Sequence, residues 1–245
     1  MKIPKAKLVS LASVLALLSG VAVAAEQTVM IPVEGQTMIG TLETPDTAEG
    51  PVPVVILLHG FTGSRHELPV KDAGEGVFER TARQLAENGY ASLRIDFRGS
   101  GDSDGAWEDT TFSGQIADAV AAIDWLSAQD GVDGDAISVL GWSQGGLVAA
   151  HAVAARPDVD AAILWAPVSN PLMSFSAMIG ADVVDKALAG APETPHTITL
   201  PWGVETTLKG AFYHELPLTS PAAALASYPG PLLVIVGSRD TVVAP

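Results

Sequence analysis

The chain contains no cysteine in 245 residues. That absence excludes disulfides, thiolate metal ligands, a cysteine nucleophile and a lipidated cysteine. Basic residues are scarce: 13 Lys and Arg stand against 28 Asp and Glu, for a formal charge of −15. A surface so acidic repels nucleic acid and anionic lipid and disfavours highly anionic substrates. There is no internal repeat and no low-complexity tract. With 48% hydrophobic and 17% charged residues, the composition is that of a globular chain rather than a disordered one. The length is enough for one domain with a substantial core.

Long apolar runs are also missing, except at the N-terminus. Lys2, Lys5 and Lys7 form a basic stretch, Leu8 to Val21 an apolar one, and Ala22-Val23-Ala24 a small-residue cleavage site, which together predict a signal peptide over residues 1–25. The alternative, an uncleaved anchor, needs about 20 predominantly apolar residues, and Ser10, Ser13, Ser19 and Gly20 interrupt the run. The expectation is therefore an exported protein, periplasmic or secreted, with no membrane span after signal removal. Removal of the three signal lysines leaves 10 basic against 28 acidic residues, a net charge of −18.

From residue 26 on, strand-like and helix-like stretches alternate, which implies an α/β fold with a mostly parallel sheet and helices on both faces. Thr28 to Val33 and Thr37 to Leu42 flank Glu34-Gly35 and read as an antiparallel hairpin. Val52 to Leu58 is a β-branched apolar run suited to a strand buried on both faces. A helix follows from Val77 to Asn88, then a strand from Ala91 to Ile95, a helix from Phe112 to about Ala128, and a strand from Ala136 to Leu140. The series continues with a helix from Gln144 to Ala155, a strand from Ala161 to Trp165 and a last strand from Pro231 to Val236. Between about 167 and 225 the rhythm breaks into a proline-rich excursion with a hairpin near Thr197 to Gly210. An excursion of that length between two sheet strands reads as a cap over a site.

The strand ending at Leu140 runs through Gly141-Trp142-Ser143-Gln144-Gly145-Gly146 directly into a helix. G-x-S-x-G in this strand–turn–helix setting presents a serine on a sharp turn, which makes Ser143 the candidate nucleophile rather than an ordinary turn residue. The following helix directs its positive dipole end at that point. Oxyanion donors are expected from the backbone N–H groups of Gln144 and of Phe61, the latter in the loop after Val52 to Leu58. His59 reads as a loop residue that holds backbone geometry.

Four segments, "HGFTGS" at 59–64, "DFRGSGDSDG" at 96–105, "GWSQGG" at 141–146 and "GSRDTVV" at 237–243, resemble the α/β-hydrolase superfamily in identity and order. More narrowly, the chain is similar to bacterial cinnamoyl and feruloyl esterases, including "LKGAFYHELPL" before the last strand. The resemblance spans nearly all of residues 26–245. It implies a serine carboxylesterase acting on small or aromatic acyl esters, with Ser143 as nucleophile, Phe61 and Gln144 at the oxyanion hole and Asp240 as the acid of the triad. The sequence carries no metal-ligand cluster, phosphate-cradling loop or basic aromatic patch, so no metal or cofactor is expected, and the expected partner is a small-molecule ester. Asp96, Asp102 and Asp104 match a loop of the family and are assigned no chemistry. "GSGDSDG" lacks the downstream glutamate of a calcium loop.

One departure stands out. In this fold the triad histidine follows the acid, yet the five histidines are His59, His66, His151, His196 and His214, all before Asp240. His151 sits about 12 Å along its helix from Ser143, at 1.5 Å per residue. The expectation is a sequence truncated at its C-terminus, lacking the last helix and strand, with the base beyond Pro245. Two other readings stay open: a serine peptidase of the aminopeptidase or prolyl-oligopeptidase kind, and a hydrolase-fold binding protein without catalysis. Acyl and alcohol specificity and oligomeric state are not legible.

Overall fold

A computed structural model describes residues 25–46 and 48–243, so the predicted signal segment, apart from Ala25, lies outside the described residues. Strand β1 (Ala25–Val33) and strand β2 (Gln36–Thr44) form the expected hairpin. Glu34 and Gly35 both have positive φ, 49° and 82°, as a two-residue turn matched to strand twist requires. Next come β3 (Val52–Leu58), α1 (Val77–Glu87), β4 (Ala91–Ile95), α2 (Phe112–Leu126), β5 (Val132–Trp142), α3 (Gln144–Ala155) and β6 (Ala161–Trp165).

The excursion then folds into α4 (Pro171–Ile179), α5 (Ala181–Leu188), a separate hairpin of β7 (Pro195–Thr199) and β8 (Glu205–Lys209), α6 (Gly210–Glu215) and α7 (Pro221–Leu225) before β9 (Leu232–Ile235). The helices of this stretch were not legible as a pattern of apolar residues, although Asn170 and Ser220 each cap a helix that begins with proline, a recognised start signal. The short α7 packs on α3 and so belongs with the helices that cover the sheet.

The seven strands of the main sheet run in the order β1-β2-β4-β3-β5-β6-β9, antiparallel through β2 and β4 and parallel from β4 onward. The run at β3 explains why the centre holds. Val54, Ile56 and Leu58 join the core on one side of the sheet, whereas Val55 and Leu57 pack against Phe78 and Ala82 of α1 on the other. Each side chain so buried contributes about 1.5–3 kcal/mol. Strand β5 begins at Val132, earlier than its apolar pattern suggests, because Val132 pairs with Val52 across a register shift. At the opposite extreme, β9 hydrogen-bonds only β6 among the described residues, and Leu232 to Val236 are 44–54% exposed.

Candidate active site

Parallel strands deliver their C-terminal ends to one edge of the sheet, and the four candidate residues follow the ends of β3, β5 and β9 there. Ser143 lies between β5 and α3 at φ 54° and ψ −118°, a left-handed conformation that costs a non-glycine residue about 1–3 kcal/mol and persists only where surroundings enforce it. The surroundings are explicit. Ser143 N–H donates to Trp165 O at 2.9 Å, and its carbonyl accepts from Gly146 and Val168 N–H at 3.0 Å each. The glycines are fixed by close approach: a methyl at Gly145 would sit 2.0 Å from Leu58 O, and one at Gly141 2.0 Å from Gly145 O.

The loop after β3 comes alongside. A methyl at Gly60 would lie 3.3 Å from Ser143 Cβ, so the Gly60-Phe61 backbone passes directly against the serine. Neither Phe61 N–H nor Gln144 N–H has a hydrogen-bond acceptor among the described residues. Phe61 and Ser143 line the same cavity, and Gln144 directly follows Ser143, so two backbone N–H groups without an acceptor belong to the segments that flank the serine. The Gln144 side chain is buried and turned away, donating from Nε2 to Gln115 Oε1 at 2.7 Å.

His59 is wholly buried, and burial pushes its imidazole down to about 4. Nε2 accepts from Phe97 N–H at 3.2 Å, which places the proton on Nδ1, 2.8 Å from Gly60 O. The ring is thus a neutral brace between two loops, as its position in the sequence suggests. Asp96 is buried beneath the same loop, where it accepts from Arg65 N–H at 2.6 Å, pairs with the Arg65 guanidinium and accepts from Asp102 N–H. Asp102 takes the other Arg65 nitrogen, and Asp104 accepts from Thr37 N–H. All three are thus engaged by neighbouring backbone N–H groups or the Arg65 guanidinium.

Asp240 lies in the loop beyond β9. Its Oδ1 accepts from the N–H groups of Val242 and Val243, both at 2.9 Å. This turn carries Val242 and Val243 into a cavity at Ser143 that is otherwise walled by Phe61, Val168, Ser174, Phe175 and Met178. The structure therefore brings Ser143, Phe61 and the Asp240 loop together. It does not bring a histidine: among the described residues none hydrogen-bonds Ser143 or Asp240. His66 meets Glu79, His151 meets Leu147 O, His214 meets Gly190 O, and the His196 ring stacks edge-on against Tyr213.

The cavity at Ser143 is about 20 Å³, room for a water rather than an acyl group. Its floor is aromatic, since the Phe61 ring contacts Trp107, Phe175 and Phe212 at centroid distances of 5.4, 5.2 and 5.9 Å. Trp107 in turn donates to Thr206 of the β7–β8 hairpin at 2.6 Å. A larger and more polar cavity of about 260 Å³, walled in part by Glu34, Arg98, Asp109 and Asp118, lies elsewhere and does not include Ser143. Sequence reasoning missed Phe175 and Met178, because α4 was not anticipated.

The sequence pattern described as the alpha/beta hydrolase fold matches residues 53–198, more than half of the chain. The chain belongs to the alpha/beta hydrolase family. Among solved structures it is similar to Est1E from Butyrivibrio proteoclasticus with ferulic acid bound, at 26% identity and a TM-score of 0.68, covering 88% of this chain and 81% of that one. It also shares its fold with acetyl xylan esterase 1 from Thermoanaerobacterium, at 17% identity and a TM-score of 0.66, over 93% of this chain and 73% of that one. Among curated proteins, an uncharacterized Rickettsia prowazekii protein is 31% identical over 50% of this chain and 48% of its own length. Acylamino-acid-releasing enzyme 2 of Oryza sativa is 26% identical over 77% of this chain and 23% of that protein. The chain thus spans about half the length of the first of these relatives and about a quarter of the second.

Proposed function

We propose that this alpha/beta hydrolase is a serine esterase that cleaves carboxylic esters of small or aromatic acids. The observation that carries the reading is Ser143, held at φ 54° on the strand–turn–helix junction with the free N–H groups of Phe61 and Gln144 beside it. In acylation, Ser143 Oγ bonds to the ester carbonyl carbon, its proton passes to a base, and the carbonyl oxygen takes negative charge between the two N–H groups. Collapse expels the alcohol, and water then hydrolyses the acyl-enzyme. Asp240 is the acid that orients the base. None of the five histidines supplies that base from the position it occupies here.

The aromatic floor around Phe61 and the likeness to a protein that binds ferulic acid support aromatic acyl groups. The cavity at Ser143, about 20 Å³, is smaller than such a group. Export behind a cleaved signal is part of the same reading, and N-terminal sequencing of the mature protein tests it. Among the described residues no helix is long and apolar enough to cross a membrane.

The protein is to be assayed with methyl ferulate, short p-nitrophenyl esters and an acetylated amino-acid anilide. Hydrolysis of either ester class is expected, and inactivity on both would sink the reading. The anilide addresses a second reading, a peptidase, which the match to acylamino-acid-releasing enzyme 2 favours. Cleavage of the anilide faster than of any ester would establish it.

A further inference from the structure

Glu67 plays no part in the motifs, yet its carboxylate lies against the loop that passes Ser143. Oε2 accepts from Gly60 N–H at 2.7 Å. The side chain reaches back beneath the turn because Thr62 and Glu67 both adopt left-handed backbone, φ 58° and 59°. Glu67 N–H donates to Ser64 O at 2.9 Å, closing the segment into a compact loop. The space is filled: a methyl at Gly63 would come 2.8 and 2.9 Å from the two carboxylate oxygens. No cation pairs with Glu67 among the described residues, since Arg65 is taken by Asp96 and Asp102 and His66 by Glu79. Burial without a counter-ion pushes the carboxyl up to about 7. Glu67 is half-buried, and a carboxylate removed from water without a counter-ion is costly unless hydrogen bonds compensate it.

The bond has a geometric consequence for the next peptide. Gly60 has no side chain to limit its rotation, so the direction of Phe61 N–H depends on how the two peptide planes flanking Gly60 are held. Glu67 fixes the first, through Gly60 N–H. His59 Nδ1–H and Gly63 N–H fix the second, through Gly60 O, at 2.8 and 3.1 Å. The geometry points to Glu67 as a positioning residue for the oxyanion hole: by holding Gly60 N–H it limits rotation about Gly60 and so keeps in place the neighbouring peptide, held by His59 and Gly63, that carries the Phe61 N–H beside Ser143. This inference rests on the serine esterase reading for its chemistry and on the loop geometry alone for its structure.

The test compares E67A, E67Q and E67D in the full-length protein. E67Q retains an acceptor at the same reach, whereas E67D keeps the charge and withdraws it by one methylene. Loss of a whole oxyanion donor typically costs about 10² to 10³ in rate, and misdirecting one is expected to cost about 10- to 100-fold. Acylation by a p-nitrophenyl ester should fall by that factor in E67A and E67D with KM changed less than about threefold, and E67Q should recover to within about fivefold of wild type. A wild-type rate in E67A, a loss carried by KM, or no rescue in E67Q would overturn the proposal. Amide hydrogen exchange at Gly60, whose N–H is the one bonded to Glu67, is measured in parallel and needs no activity. Exchange there should quicken at least about tenfold in E67A while α3 stays protected; unchanged exchange would also overturn the proposal. A wild-type protein inert toward every ester would refute the esterase reading instead, and the exchange comparison would still decide the role of Glu67. If E67A does not fold, E67D and E67Q give the same contrast.

Discussion

The turn bearing Ser143 and the loop bearing Asp240 leave the same edge of the sheet, from β5 and β9, with only β6 between them. Their settings differ sharply. β5 lies between two hydrogen-bonded neighbours, and the helix that follows Ser143 is buried along most of its length. β9 has one neighbour among the described residues, and its apolar side chains are about half exposed. The first region can hold a strained residue because glycine contacts, three backbone hydrogen bonds and the packed core all fix it. The second is held by local bonds from Asp240 to its own loop and by the burial of Val243. Strain for chemistry is stored where the structure over-determines the backbone, and Asp240, proposed above as the acid, sits in the less constrained of these two regions.

The largest effect that would break this contrast is chemical. Ser143→Ala in the full-length protein is expected to lower ester turnover by about 10⁴-fold or more while leaving the unfolding transition in place; an activity loss below about tenfold would mean the strained turn serves something else. Next is Gly145→Ala, whose new methyl meets Leu58 O at 2.0 Å. It should cost about 3 kcal/mol or more by displacing β3 from α3, read as a drop in denaturant midpoint, and a neutral result would show the turn to be less constrained than described.

Acid should weaken the same region through His59. Its pKa when folded, about 4, lies below its usual 6.5, so the neutral ring stabilises the fold fully above pH 6.5 and that contribution is lost as pH falls through 4. The amount at stake is about 3 kcal/mol. Glu67 and Glu43, both pushed up to about 7 by burial, act in the opposite sense, favouring the fold as pH drops from 7 toward 4.5. The difference in unfolding free energy between wild type and His59→Asn removes their contribution. It should shrink by about 3 kcal/mol between pH 7.5 and 4, and a constant difference would contradict the buried, neutral assignment. The smallest effect belongs to the other region: Leu233→Ser, at a side chain 54% exposed, should shift stability by less than about 0.5 kcal/mol. A loss of 2 kcal/mol or more would show that β9 is covered in solution.

What was legible in the sequence follows the same division. The elbow at Ser143 was readable because its determinants are local: an apolar run, glycines at fixed offsets and a helix that starts at once. The strands of the parallel sheet were readable for the same reason, with errors at ends such as Val132, where pairing with Val52 extends β5 past Gly134 and two aspartates. The α4 helix, which puts Phe175 and Met178 on the cavity wall, was missed although Asn170-Pro171 announces it. Glu67 had no local signal at all. Its importance arises only when two left-handed residues fold it back onto Gly60. The absence of a histidine after Asp240 was plain in the sequence, and the structure adds that the five present are engaged elsewhere.

The most direct measurement is to treat the full-length protein and its Ser143→Ala variant with a fluorophosphonate and to locate the adduct by peptide mass spectrometry. A single adduct on Ser143, absent from the variant, is predicted. Labelling at another residue, or none in a folded wild-type protein, would contradict the assignment of Ser143 as the nucleophile.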